Sequence, residues 1–167
     1  LYGLVEKDTA KAQQLILKLS DMMRYSIYEG QNDWVSLADE ITYLENYMDL
    51  HKMRYHKEIT VRFDVDVEDR LVKIMPLLLI IMVENAFKHG VEKLRKDAFV
   101  YIRLKATSQY IDFEIENNFD PEEQVGTQGI GLNNLKKRLA LVYLNKHELE
   151  ITSKRADIYT IRLRLTL

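Results

Sequence analysis

The amino-acid sequence predicts an α+β fold: a two-layer α/β sandwich with helices on one face of a mixed sheet, preceded by a helical appendage. Three observations carry that prediction. Apolar residues recur every three to four positions through residues 8–55, with no alternation. From residue 59 the period changes to two, in runs at 59–67, 99–106, 110–116, 148–153 and 158–167. Helical stretches interrupt those runs only at about 76–89 and 132–144, without the regular strand–helix rhythm of a parallel sheet.

Each element has its own warrant. In the first helix, residues 8–29, Leu15, Ile16, Leu19, Met22, Met23 and Ile27 make a narrow apolar stripe flanked by charge, which suits packing on another helix. Asp8 is placed to cap its start, and Gly30 to end it in a left-handed conformation. A second helix starts at Ser36, where Ser36 and Asp39 form a capping box, and Leu37, Ile41, Leu44 and Met48 continue its face. GQNDW, residues 30–34, is the one convincing hinge, so residues 1–30 divide from 36–167 across a hinge at 31–35. In EITVRFDVDV the odd positions from Ile59 to Val67 are apolar and the residues between them polar, a half-buried strand. Pro76 fits the first turn of the next helix, where its missing N–H would be unpaired anyway. That helix runs to His89, is apolar nearly all round, and should lie covered on the sheet. The TSQ connection joins two further strands, and KRAD joins the closing hairpin.

Composition narrows the function. A chain of 167 residues with 47% hydrophobic and 30% charged residues has the balance of an ordinary globular protein. The net charge of −2 gives no basic field to hold nucleic acid. Without cysteine there are no disulfides and no thiolate metal sites. The longest apolar run, residues 74–83, is about half of what a membrane span needs. LYGLVEK at the start lacks an initiator Met and reads as mid-domain sequence, so an excised piece of a longer chain is expected.

Two clusters carry chemistry. The first is VENAFKHG, residues 83–90, where Glu84, Asn85, Lys88 and His89 follow the apolar MPLLLIIM. On a helix Asn85 and Lys88 lie three apart and Glu84 and Lys88 four apart, along one edge. An amide oxygen beside an ammonium suits a magnesium–phosphate ligand, because magnesium takes few protein oxygens and lysine meets the remaining negative charge. A plain helix end explains Lys88, His89 and Gly90 equally well, with cations near the last carbonyls and glycine as the stop. It does not explain Asn85, which has no preference for a helix interior. The second cluster is GTQGIGLNNLKKRL, residues 126–139, where glycines 126, 129 and 131 let backbone approach a ligand and the helix start favours phosphate. A glycine-rich turn alone is a weak signal. This one has neither the P-loop lysine nor the Rossmann spacing.

At these residues the chain resembles a known family. ENAFKHG and GIGLNNLKKRLALVY look like the N box and second glycine box of Bergerat-fold ATP-binding domains. With LSDMMRYSIYE, VSLADEITYLENYMDLHKMRY and MPLLLIIMVENAFKHG in the same order, the chain closely resembles sensor histidine kinases that pair with LytTR-type response regulators. The resemblance implies that Asn85 coordinates Mg2+, Lys88 contacts ATP phosphates, and His89 lies near phosphate or ribose. It implies that Gly129, Gly131 and the helix start at Leu132 hold the phosphates, that Asn134 and Arg138 are the family's recurring pair on that helix, and that residues 119–128 form a lid. Residues 1–30 are then the end of a dimerisation and phosphotransfer hairpin. The intact protein is expected to be a homodimer, and this piece the cytoplasmic domain of a bacterial inner-membrane protein whose spans lie upstream.

Three departures qualify that picture. None of His51, His56, His89 and His147 matches the family's phosphoacceptor, which precedes this segment, so self-phosphorylation in the usual place is not expected. In IENNFDP, Asn117 stands where the family has the adenine-reading Asp, and Phe119 and Pro121 where it has glycines. An Asn oxygen still accepts from an amino group, but without charge. Ile81 replaces the water-activating Glu of the superfamily's hydrolases, which favours transfer over hydrolysis. Glu84 is the candidate for orienting the acceptor imidazole, set against a plain Glu84–Lys88 helix pair. The leading expectation is an ATP-dependent kinase domain. A pseudokinase of the same fold, acting as a regulated binding module, is the alternative.

Overall fold

Residues 8–55, 58–121, 130–155 and 157–167 are described by a computed structural model of the chain, with only the backbone of Lys154 and Arg155. The first helix, α1, spans Thr9–Tyr28, and the Asp8 carboxylate accepts from the Lys11 N–H at 3.0 Å as its cap. It does not end at a left-handed Gly30. Glu29 keeps helical angles and the chain tightens into a 3-10 turn, Glu29–Gln31. Helix α2, Leu37–Arg54, starts from the expected capping box, in which Ser36 and Asp39 each serve the other's backbone N–H.

The strands are β1 (Val35–Ser36), β2 (Ile59–Val67), β3 (Lys73–Ile74), β4 (Ala98–Ala106), β5 (Tyr110–Asn118), β6 (His147–Arg155) and β7 (Ile158–Thr166). Five of them form a mixed sheet in the order β2-β4-β5-β7-β6, with β2 and β4 parallel and the other pairs antiparallel. Two residues each, β1 and β3 pair separately; periodicity cannot register so short a ladder. Helices α2, α3 (Ile80–Ala86) and α4 (Ile130–Val142) cover one face, as the two-layer prediction requires. Leu44, Met82 and Leu135 are fully buried against Ile102, Phe113 and Leu163 from the sheet. At roughly 25 cal/mol per Å2 of apolar surface, this interface supplies most of the driving force for folding.

No described helix covers the opposite face, which carries two rows of charged side chains. Register places Asp64 beside Arg103, Arg103 beside Glu114, Glu114 beside Arg162, and Arg162 beside Glu150. The next row repeats the pattern with Asp66, Lys105, Asp112, Arg164 and Glu148. Opposite charges directly across strands favour the pairing, each by tenths of a kcal/mol.

The helix around the MPLLLIIM run departs from expectation at both ends. Pro76 does not open it; α3 starts at Ile80, because Leu77 takes a positive φ of 55° and breaks the helical run ahead of it. A branched residue there is strained by about 1–2 kcal/mol, so outside contacts must hold the turn. Arg138 on α4 donates to the carbonyls of Pro76 and Leu77 at 2.8 and 3.1 Å, and the Tyr143 hydroxyl accepts from the Met75 N–H at 3.0 Å. Nor does Gly90 stop the helix. The chain passes into a π-helical turn, Phe87–Val91, in which the Glu92 N–H reaches the Phe87 carbonyl at 2.9 Å.

Helix α1 lies along α2. Ala12, Leu15 and Met22 are buried, and Lys18 pairs with Asp49 at 2.8 Å. The rest of its apolar stripe faces outward, with Ile16, Met23 and Ile27 all more than half exposed. Trp34 meets the Tyr143 ring edge-on at 5.8 Å, which packs the hinge against the end of α4. Replacing Tyr143 by Phe removes the acceptor for Met75 and is expected to lower unfolding stability by about 1 kcal/mol in urea titration.

Candidate functional site

Helix α3 and the π turn that follows it form the middle of the site. Ile81 and Asn85 are one helical turn apart on the same face. Next to Ile81 lies the start of α4, since a β carbon placed on Gly131 would stand 3.7 Å from Ile81 Cγ2. That is ordinary contact, so packing does not demand a glycine at 131. The glycine-bearing end of α4 is thereby set beside the edge of α3 that carries Asn85. Asn85 is half-buried, and its side chain makes no hydrogen bond to another described residue. An unclaimed amide on an otherwise apolar helix suits an external ligand.

The end of β5 closes the site from the sheet side. A β carbon on Gly90 would lie 2.5 Å from Asn117 Nδ2 and 2.6 Å from the Asn118 carbonyl oxygen. Glycine is required there by close approach, not by backbone angle. Asn117 is buried, and its Nδ2 donates to the Asn118 carbonyl at 3.0 Å. That carbonyl can only accept, so it fixes the amide with Oδ1 turned the other way. Asn118 in turn donates to the Asp97 carbonyl at 2.8 Å and accepts from the Phe99 N–H at 2.8 Å, tying the end of β5 to the start of β4.

The remaining expected residues distribute as follows. Lys88 and His89 are exposed on the π turn, re-aimed by the extra residue that such a turn inserts. Glu84 is exposed toward α2, and partial burial still pushes its carboxyl above the usual range. Among the described residues no Glu84–Lys88 ion pair forms. Instead the Glu84 charge acts on Tyr43 and Tyr47 of α2, whose hydroxyls are raised first by burial. Leu132 is buried in the core, so only its backbone is available to a ligand, and Asn134 is exposed on α4. Arg138 has both terminal nitrogens engaged at the 76–77 turn. Gly126, Gly129, His56 and residues 122–128 of the expected lid lie outside the described residues.

Of the lid's described part, Phe119 donates its N–H to the Asp157 carbonyl at 2.9 Å. His51 is half-buried, stacked on Tyr47 at 4.2 Å and edge-on to Phe87 at 5.1 Å, so it supports the π turn from α2. Sequence reasoning missed Asn118 and the true reason for Gly90; the Asn-Asn pair at 117–118 was the available signal for the first. Among the described residues no group of three His, Cys, Asp or Glu side chains is placed to hold a metal, and no helix is long and apolar enough to cross a membrane.

With this geometry in place, the chain can be set beside known proteins. A family model described as Histidine kinase matches residues 1–59. The sensor protein LytS of Staphylococcus haemolyticus (strain JCSC1435) is 27% identical over 165 residues, covering 90% of this chain and 28% of that protein. The sensor histidine kinase BtsS of Escherichia coli (strain K12) is 29% identical over 165 residues, covering 98% of this chain and 29% of that protein. Among solved structures, the histidine kinase domain of the Erythrobacter litoralis EL346 blue-light activated histidine kinase superposes with a TM-score of 0.57 at 12% identity, over 99% of this chain and 80% of that one. The fold is that of a histidine kinase catalytic domain with helical sequence in front of it. In sequence the chain is similar to the LytS and BtsS sensor proteins, and it spans less than a third of the length of those relatives.

The Gly90 contact gives a direct check. Gly90→Ala is expected to cost about 1–3 kcal/mol in urea unfolding, the range of an overpacked core. It should also shift the Asn117 side-chain amide resonances, while an alanine at Gly131 should leave them in place.

Proposed function

We propose that this chain is the ATP-binding kinase domain of a two-component sensor histidine kinase. It would pass the γ-phosphoryl group of ATP to a histidine on an upstream helix, and from there to an aspartate of a response regulator. The observation that carries this reading is the convergence of three separated segments: Asn85 on α3, Gly131 at the start of α4, and Asn117 beneath Gly90. Residues 36–167 are the catalytic unit in this reading, residues 1–30 the end of a dimerisation hairpin, and residues 31–35 the hinge.

Each side chain then has a task. Asn117 Oδ1, left as an acceptor by the Nδ2 bond to Asn118, accepts a hydrogen bond from the exocyclic amine of adenine. The N–H groups at Gly131 and Leu132, with Gly129 before them, face phosphate at the positive end of the α4 dipole. The unpartnered Asn85 amide fits a cation that draws its other oxygens from phosphates and water. Mg2+ held there would neutralise charge developing on the transferred group. Lys88 and His89 meet the remaining phosphate charge, with Asn134 at its margin, and Arg138 supports the phosphate helix by clamping it to the 76–77 turn. Glu84, its carboxyl raised by partial burial, stands on the outer edge of α3 where an incoming imidazole could be oriented. Phosphoryl transfer asks the protein mainly for position and charge, and this set supplies both.

The outward apolar residues Ile16, Met23 and Ile27 on α1 support a homodimer in the whole protein. A LytTR-type regulator as the acceptor, and attachment to the bacterial inner membrane through upstream segments, follow from the resemblance. One observation favours the pseudokinase as a second reading: the adenine reader is an uncharged amide that already donates to its neighbour.

Calorimetric titration decides between them. Saturable ATP binding that needs Mg2+ and is lost in Asn85→Ala is expected. No binding up to millimolar ATP by the folded chain would leave the pseudokinase. An acceptor-only Asn117 also predicts that ATP outcompetes GTP by at least about tenfold, because a 6-oxo purine would set acceptor against acceptor.

A further inference from the structure

The most deeply buried charged group in the described chain is remote from Asn85 and has no part in the reaction above. Glu40, on α2, is fully buried. Its Oε1 accepts from the Leu77 N–H at 2.7 Å and from the Tyr25 hydroxyl at 2.7 Å, and its Oε2 from the Leu79 N–H at 3.4 Å. The partners come from two different parts of the fold. Leu77 and Leu79 are the strained turn ahead of α3, and Tyr25 is on α1.

The need for such a group is visible in α3 itself. A helix leaves its first N–H groups unpaired, and the residue that should cap this one, Leu79, has no side chain able to do so. Glu40 does not reach those helical N–H groups; from another helix it accepts from the Leu77 and Leu79 N–H groups just ahead of them, and so holds the turn that leads into the helix carrying Asn85. A buried carboxylate is tolerable only when donors surround it. Burial pushes the Glu40 carboxyl above its usual range and the donors pull it back, with Tyr25 foremost among them. Other polar contacts from α1, Lys18 to Asp49 and Asn46 and Ser26 to Tyr43, end on the α2 surface. The Tyr25 contact passes through α2 to the turn.

We propose that Tyr25 and Glu40 form a joint that makes the placement of the nucleotide helix depend on the attitude of α1. With the Tyr25 hydroxyl engaged, Glu40 has three donors and holds Leu77 and Leu79 in register for α3. Rotating α1 by one residue, about 100°, carries the hydroxyl away and leaves the buried carboxylate supported by the turn alone. The turn must then shift to satisfy it, and Ile81 and Asn85 move with the turn. Glu40 is thus a positioning residue and Tyr25 the input. Half of the apolar stripe of α1 faces outward, so whatever covers that stripe sets the angle of Tyr25. The effect on phosphoryl transfer rests on the nucleotide reading given above; the mechanical link does not.

Tyr25→Phe removes the hydroxyl and nothing else, and Ser26→Ala removes a neighbouring polar tie that ends on α2. Amide hydrogen exchange of the nucleotide-free chain is the first readout. The proposal expects exchange at Leu77, Leu79 and residues 80–83 to rise at least about fivefold in Tyr25→Phe, with β4 and β5 unchanged and Ser26→Ala silent there. Unchanged exchange at residues 77–83, or an equal rise throughout the domain, would overturn it. ATP affinity is the second readout. Coupled sites shift one another by about 5–150-fold, so the ATP Kd should move at least fivefold in Tyr25→Phe and less than twofold in Ser26→Ala. A local exchange effect with the ATP Kd unmoved would overturn the transmission to the site. If wild type binds no ATP, the nucleotide reading fails, and exchange alone judges the joint.

Discussion

A helix whose first turn is wholly apolar supplies no cap of its own, and the architecture of this chain is organised around that constraint. The backbone of residues 75–79 needs partners that its own side chains cannot supply. They come from α2 through Glu40 and from α4 through Arg138 and Tyr143. Those contacts hold Leu77 at a backbone angle it would otherwise avoid. Because the same three helices cover the sheet, the start of α3 is also where the helical layer is bolted together. The candidate site begins one turn further along.

The other end of α3 is fixed by exclusion. Asn117 and the Asn118 carbonyl occupy the space where a side chain at residue 90 would begin. The π turn can therefore sit directly on the end of β5, and its extra residue turns Lys88 and His89 to a new direction. Rigid support at both ends of a short helix gives a catalytic or binding group a defined position without a covalent anchor. Loops alone could not do this for Asn85.

Much of this was legible in the sequence, and the rest was not for identifiable reasons. The capping box at Ser36, the long strands and the covered α3 follow from local rules of period and capping, so they could be read directly. Asn85 stood out because no local rule explains it. Gly30 reads as a left-handed helix end and Gly90 as a helix stop, whereas both serve close approaches to residues distant in the chain, Leu77 in one case and Asn117 in the other. Pro76 was misplaced because the strained Leu77 is stabilised by Arg138, sixty-one residues away. Nothing in the sequence marks Glu40, since an acidic residue in the first turn of α2 is accounted for by the helix dipole. Only the tertiary arrangement shows that it holds the turn ahead of a different helix.

The bare face of the sheet works as a barcode for strand order. In the two charged rows each strand presents charge of one sign: acidic on β2, β5 and β6, basic on β4 and β7. A slip of two residues would keep signs matched, so the pattern does little to set register, which the buried face must do. Exchanging two neighbouring strands, by contrast, would put like beside like. The code also ends in the same sign on both sides, since the edges β2 and β6 are both acidic. Two copies brought edge to edge at these rows would set acid against acid, which disfavours growth of the sheet by strand addition.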